Sequence, residues 1–158
     1  MEKSTLLAHN HMKRLLQAVL LLSPFIVSVQ GHGQLMKTLE DAHLIAENDS
    51  LWFRGKPLKN LLKEIGPEIK MVSVNGESWA ERPALIIFRF VDRSIYYQYR
   101  CAEKFPLSIQ VRIKESFDWK KSKEDYFKWS KTDTEQLGNL TIVTARVYGE
   151  VGELPQAL

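Results

Sequence analysis

Four arginines are the side chains whose type and spacing offer the clearest binding chemistry. Arg89, Arg100, Arg112 and Arg146 each lie in a segment that the hydropathy pattern predicts to be a strand, and Tyr148 follows the last of them. A guanidinium group suits carboxylates or sulfates, and aromatic faces suit sugar rings or peptide side chains. We therefore predict that these five residues form a ligand-binding surface. The alternative is a solvated sheet face on which arginines pair with glutamates across strands.

Residues 117–131 mix aromatic and lysine side chains and form a second candidate surface. They could serve as a ligand platform or as an amphipathic helix that seeks a membrane surface. However, Tyr126, Phe127 and Trp129 are the side chains that a short helix would use to dock on a sheet, and nearby acidic residues dilute the positive field. We interpret this stretch as core packing with a solvated charged rim.

The front of the chain indicates export. Lys13 and Arg14 precede an apolar run of about 15 residues, too short for a stable membrane span, and small residues follow it. We predict a signal peptide over residues 1–31, with Met12 as a possible true start, and no permanent membrane anchor. A buried core helix or a true anchor is the alternative. The mature protein would then be secreted or periplasmic.

A third candidate depends on that cleavage. If it follows Gly31, the mature chain begins with His32, whose amine and imidazole could together chelate copper. The opening His32-Gly33 resembles the mature start of secreted copper-dependent polysaccharide monooxygenases, and this resemblance implies a second histidine ligand, for which His43 is the one available. The alternative is an unstructured N-terminus. We predict no cofactor.

Composition narrows the function classes. The chain has 158 residues; the first 31 carry three of the 22 basic and one of the 19 acidic side chains, which leaves residues 32–158 near neutrality. Such a balance does not suggest nucleic-acid binding. The sequence contains no Gly-rich phosphate loop, nucleophile elbow, zinc-protease motif or paired-cysteine spacing. Cys101 is the only cysteine and is expected to be buried; an intermolecular bridge or a reactive thiol is the alternative.

Hydropathy periodicity predicts three helices, at residues 39–47, 57–65 and 123–130. The second is the clearest, because its leucines recur at helical spacing between Pro57 and Gly66-Pro67. Residues 51–53 are predicted to be extended. Strands are predicted at residues 69–74, 84–91, 95–100, 107–114 and 139–150, with a loop over 77–83.

The gaps between some of these strands are of hairpin length, which favours antiparallel pairing. We predict one α+β domain over residues 32–151, with a mostly antiparallel sheet of about five strands and one or two helices packed on one face. Residues 152–158 would form a frayed tail.

Because no catalytic signature accompanies the polar strand face, we expect an exported, non-enzymatic binding module whose partner is a macromolecule or a small molecule. One alternative is a secreted enzyme, either a hydrolase or a copper enzyme acting through His32. Another is a structural or assembly protein, in which Cys101 or a sheet edge joins protomers into a homo-oligomer.

Overall fold

The structure is a computed structural model that describes residues 33–75, 84–117, 119, 121 and 127–152. The predicted signal peptide, its cleavage point, His32 and the predicted loop over 77–83 lie outside these residues. Within them, the chain forms helices α1 (Ala42–Glu47), α2 (Leu58–Glu64), α3 (Arg93–Cys101) and α4 (Lys131–Leu137), a π-helix (Asp49–Phe53), and strands β1 (Met71–Asn75), β2 (Ala84–Arg89), β3 (Ser108–Ile113) and β4 (Ile142–Tyr148).

The four strands form one antiparallel sheet in the order β1-β2-β3-β4. The predicted α+β class and antiparallel pairing are therefore confirmed. Within the described ranges the sheet has four strands rather than about five, and the helices are more numerous than the predicted one or two.

The difference in strand number comes from residues 95–100. We predicted them to be a strand, and this is wrong, because they belong to helix α3. The segment is rich in aromatic residues, which favour strands in general. In the structure, Tyr96 and Tyr99 instead use a helical spacing of three residues to face the same cleft, and Tyr99 is buried.

One face of the sheet carries the core. Phe88, Ile109 and Val111 are fully buried there, and they pack against Ile45 of α1 and Leu61 of α2. The predicted helix over 57–65 is confirmed as α2, which ends before Gly66 as expected. Burying its leucine stripe stabilises the fold by roughly 1.5–3 kcal/mol for each fully buried side chain.

The segment after α1 is not extended. We predicted residues 51–53 to be extended, and this is wrong, because they belong to the π-helix. The buried carboxylate of Asp49 holds this turn against β4: it accepts hydrogen bonds from the Ala145 N–H (2.7 Å), the Thr144 hydroxyl (3.1 Å) and Arg54 Nη2 (2.9 Å). Asp49 thus joins a local turn to a strand almost a hundred residues away.

The last helix begins later than predicted. A helix over 123–130 is wrong for residues 128–130, which are not helical, while residues 122–126 lie outside the described part. Helix α4 begins after Ser130, whose hydroxyl accepts from the Asp133 N–H while the Asp133 carboxylate accepts from the Ser130 N–H. This reciprocal capping box satisfies two backbone donors and fixes the helix start.

Candidate functional site

The polar face of the sheet lies opposite the core, and strand register arranges it in rows. Arg89, Ser108 and Tyr148 are partners across β2, β3 and β4 and form the first row. Gln110 and Arg146 are partners in the next row, two residues along β3. Four of the predicted site residues (Arg89, Arg112, Arg146 and Tyr148) therefore share one face.

The four arginines do not converge on one point. Arg112 lies four positions from Ser108 along β3, which places it about 13 Å from the row of Arg89. The prediction that Arg100 lies in a strand is wrong. Arg100 lies near the end of α3, where its guanidinium carbon is 4.8 Å from the centre of the Phe105 ring. A single four-arginine cluster is therefore not formed.

A cleft of about 950 Å³ opens where α3 lies over the first row. The sheet contributes Arg89, Ser108, Gln110 and Tyr148 to its walls, and α3 contributes Tyr96 and Tyr99. Two of the five predicted site residues, Arg89 and Tyr148, thus meet in a concave site. Arg100, Arg112 and Arg146 are not among its lining residues.

Two backbone segments complete the cleft, residues 103–106 after α3 and residues 149–152 after β4. The Glu150 N–H donates to the Phe105 carbonyl at 3.2 Å, and the Tyr99 hydroxyl donates to the Gly152 carbonyl at 2.8 Å. These bonds tie both segments and the helix together. The cleft walls are therefore held by hydrogen bonds rather than by side-chain packing alone.

Gly149 permits the close approach of these two segments. Its φ of +83° lies in the left-handed region, and a Cβ atom at this position would stand 2.4 Å from the Pro106 carbonyl oxygen. Only glycine fits both conditions without strain. This residue therefore sets the shape of the cleft where β4 ends.

Arg89 is half-buried in the cleft. Its Nη1 donates to the Ser73 hydroxyl at 2.8 Å, and its guanidinium carbon lies 4.7 Å from the centre of the Tyr96 ring. Burial lowers the pKa of Arg89 below its ordinary value, and the charge of Arg100 acts in the same direction, whereas contact with Tyr96 opposes both. An arginine still remains charged at neutral pH.

Arg146 and Tyr148 interact with each other on the outer strand. A hydrogen bond with Tyr148 and the electrostatic interaction with it raise the pKa of Arg146, and the charge of Asp49 acts in the same direction. Both side chains are exposed, so they remain accessible from solvent. Tyr148 therefore belongs to the cleft rim, with Arg146 beside it.

Sequence reasoning missed three aromatic or apolar cleft residues: Tyr99, Phe105 and Pro106. The i, i+3 spacing of Tyr96 and Tyr99 was the signal that could have revealed a helical face. Phe105 had no such signal, because its position depends on how residues 103–106 leave α3.

The aromatic–lysine stretch is used for packing where the structure describes it. Trp129 meets Phe88 edge-on with ring centres 5.0 Å apart, and Trp119 donates to the buried Asp133 carboxylate at 2.9 Å. Lys121 Nζ lies 2.6 Å from the other Asp133 oxygen. Tyr126 and the flanking residues 122–125 lie outside the described part.

Among the described residues, the remaining candidates Cys101 and His43 are not part of a second site. Cys101 is exposed rather than buried, contrary to the sequence-based expectation. His43 is also exposed and contacts the Glu40 carbonyl through Nδ1 at 2.8 Å. Over residues 33–75, 84–117, 119, 121 and 127–152, no three histidine, cysteine or acidic side chains are grouped as metal ligands would be.

In the same ranges, every helix is too short or too polar to cross a bilayer. Comparison with known protein families, with curated proteins and with solved structures found nothing that matches this chain.

Proposed function

We propose that this protein is an exported, non-enzymatic binding module that takes a small organic ligand into the cleft between α3 and the polar sheet face. The proposal combines two observations. The front of the sequence has the pattern of a secretory signal. The cleft is large enough for a ligand of drug-like size and combines apolar walls with a few polar groups, as small-molecule sites commonly do.

The observation that carries the proposal is the exposure of aromatic side chains around this cleft. Phe105 is 59% exposed and Tyr148 is 44% exposed, and both line the opening. Large aromatic side chains grouped at the mouth of a concave site expose apolar surface to water in the free protein. A ligand that covers these side chains would bury that surface.

A direct test uses small probes of three chemical types: naphthylacetate as an aromatic acid, glucose as a saccharide, and trialanine as a peptide. Each is added to the isotope-labelled processed protein, and amide chemical shifts are recorded by NMR. We expect at least one probe to shift amides in residues 96–106 and 148–152. The shallower groove of about 340 Å³ beside Leu51 and Trp52 should show no change and serves as an internal reference.

Paired variants locate the binding. Tyr148→Ser removes an aromatic wall of the cleft. It should lower the affinity for the probe about tenfold, the order of magnitude expected from one aromatic contact and the area that it buries. Tyr97→Ser is the matched control, because Tyr97 is an exposed tyrosine on α3 that does not line the cleft. If no probe shifts the cleft amides, or if both variants weaken binding equally, the proposed function is wrong.

Export is tested separately. The N-terminal residue of the protein recovered from outside the cytosol should be His32 or Gln34, because small residues precede both positions. Intact chain confined to the cytosol would contradict export without bearing on the cleft.

A further inference from the structure

The charged group on the sheet side of the cleft suggests which ligand the cleft accepts. Arg89 is half-buried, and its two described side-chain contacts are with neutral groups, the Ser73 hydroxyl and the Tyr96 ring. No carboxylate of the described residues forms an ion pair with it. A partly buried cation that faces a cleft without such a partner is well placed to bind an anion.

The geometry around Arg89 favours a planar anion. A guanidinium presents five N–H donors in a fixed fork that matches a carboxylate in two parallel hydrogen bonds. Ser73 and Tyr96 restrict how this fork turns. The Ser73 hydroxyl accepts from Nη1, and Tyr96 contacts the guanidinium through its ring and through a side-chain hydrogen bond. The guanidinium is therefore already oriented in the free protein, so that binding costs less conformational entropy.

The other charges in the cleft limit how negative its ligand can be. Besides Arg89, the described lining residues carry one cation, Lys104, and two carboxylates, Glu103 and Glu150. These four charges cancel, so the described lining has no excess of positive charge with which to hold a polyanion. A ligand with a single negative charge that reaches Arg89 fits this balance better than one with two or more charges.

The remaining walls fix the character of the ligand body. Tyr96 and Tyr99 on the helix side, Tyr148 on the sheet side and Phe105 on the loop present aromatic rings to the same space. Such walls pack well against a flat apolar or aromatic group. Ser108 and Gln110 supply the few neutral polar groups on the sheet.

We infer that the cleft binds a monocarboxylate with an aromatic body, with the carboxylate on Arg89 and the body between the tyrosines and Phe105. This inference rests on the proposed function and specifies the ligand class of the same site.

The test compares three probes that share one aromatic body: naphthylacetate, the neutral naphthylacetamide and the dianionic naphthyl phosphate. Affinities for the wild-type protein are measured from NMR shifts of the cleft amides. We expect naphthylacetate to bind at least about tenfold more tightly than the amide, as one charge-assisted contact would give. Naphthyl phosphate should bind no more tightly than naphthylacetate. This comparison needs no variant and so does not depend on how a substitution folds.

Variants then assign the preference to Arg89. Arg89→Gln should weaken naphthylacetate about tenfold or more and leave naphthylacetamide within about twofold. Arg89→Lys keeps the charge but not the fork of donors. Its affinity for naphthylacetate should therefore lie between those of the wild type and Arg89→Gln. Arg112→Gln is the matched control, because Arg112 lies on the same face outside the cleft. It should leave all affinities unchanged.

The outcomes separate the two proposals. Equal binding of the acid and the amide in the cleft, or tighter binding of the phosphate, overturns the carboxylate inference and leaves the binding function standing. An acid preference that survives Arg89→Gln overturns it as well. If no naphthyl probe reaches the cleft but glucose or trialanine does, the inference alone is overturned. If none of the five probes reaches the cleft, the inference falls together with the proposed function.

Discussion

Replacing Asp133 by Asn should be the most informative test of how the fold is held together. The Asp133 carboxylate accepts hydrogen bonds from the Ser130 N–H (2.7 Å) and Trp119 Nε1 (2.9 Å), and it pairs with Lys121 at 2.6 Å. The side chains of Lys121 and Asp133 are only 10% and 5% exposed. The Asn variant would leave the buried lysine charge without its carboxylate partner, and only the Lys128 carbonyl and the Trp119 ring would still contact Lys121 Nζ among the described residues. We expect a loss of about 3 kcal/mol in unfolding free energy, the lower end for breaking a buried pair, because Asn still accepts one hydrogen bond.

The pH dependence supplies a second signature of the same pair. Burial tends to raise the pKa of Asp133, but the hydrogen bonds from Lys121, Ser130 and Trp119 outweigh it and hold the pKa below its ordinary value. A lowered carboxyl pKa contributes stability that is fully present above the unfolded value of about 3.9 and is lost as the pH falls through the folded value. The difference between wild type and Asp133→Asn should therefore be constant at neutral pH and shrink below about pH 4.

Urea unfolding at several pH values measures both effects. Glu135→Gln is the control, because Glu135 forms an exposed pair with Lys131 on the same helix and should change stability by no more than about 0.5 kcal/mol. A loss below about 1 kcal/mol for Asp133→Asn at neutral pH would refute the argument. So would a difference that stays the same in strong acid.

Three further predictions concern the cleft and its surroundings. Gly149→Ala should destabilise the protein by about 2 kcal/mol or more in urea unfolding, because it forces an alanine to a positive φ and towards the Pro106 carbonyl. Gly152→Ala is the control and should be nearly neutral, because there is open space around Gly152. Tyr99→Phe should cost about 1 kcal/mol by losing its bond to Gly152, and an unchanged midpoint would contradict that bond. Cys101 should take up one maleimide in the native state, as measured by mass spectrometry; labelling only after unfolding would show that it is covered.

Local patterns were sufficient where one face of an element is buried and the other is wet. Residues 108–113 alternate strictly, with Ile109, Val111 and Ile113 in the core, so the period of two predicts both the strand and its buried face. The leucines of α2 do the same at helical spacing. In both cases the packing environment agrees with the local pattern.

Local patterns failed where tertiary contacts decide. Residues 95–100 have the composition of a strand, yet they form a helix whose tyrosines face the cleft. In β4, strict alternation placed Ile142 and Ala145 on opposite faces, but both are buried in the core. A register shift opposite Arg112 and Ile113 inserts Val143 and turns the later side chains over. Neither the helix at residues 95–100 nor the register shift in β4 can be predicted from a single sequence.

The candidate site could be predicted from the sequence only in part. The strand positions of Arg89 and Tyr148 could be predicted from the sequence, because each belongs to a segment with clear strand character. Their adjacency could not, since it follows from the register that places Ser108 between them. The helix that covers them was predicted as a strand, so the cleft itself was beyond sequence reasoning.

The two outer strands of the sheet bear on how a partner gains access. Strand addition needs free backbone donors along an edge. On β4 the Ala145 N–H is already bonded to the Asp49 carboxylate at 2.7 Å, and on β1 the Val72 N–H donates to the Phe127 carbonyl at 2.7 Å. A partner that pairs along either strand would have to displace these contacts. The cleft requires no such displacement, because Phe105 and Tyr148 are already exposed at its rim in the free protein. We therefore expect recognition through side chains rather than through the sheet edges.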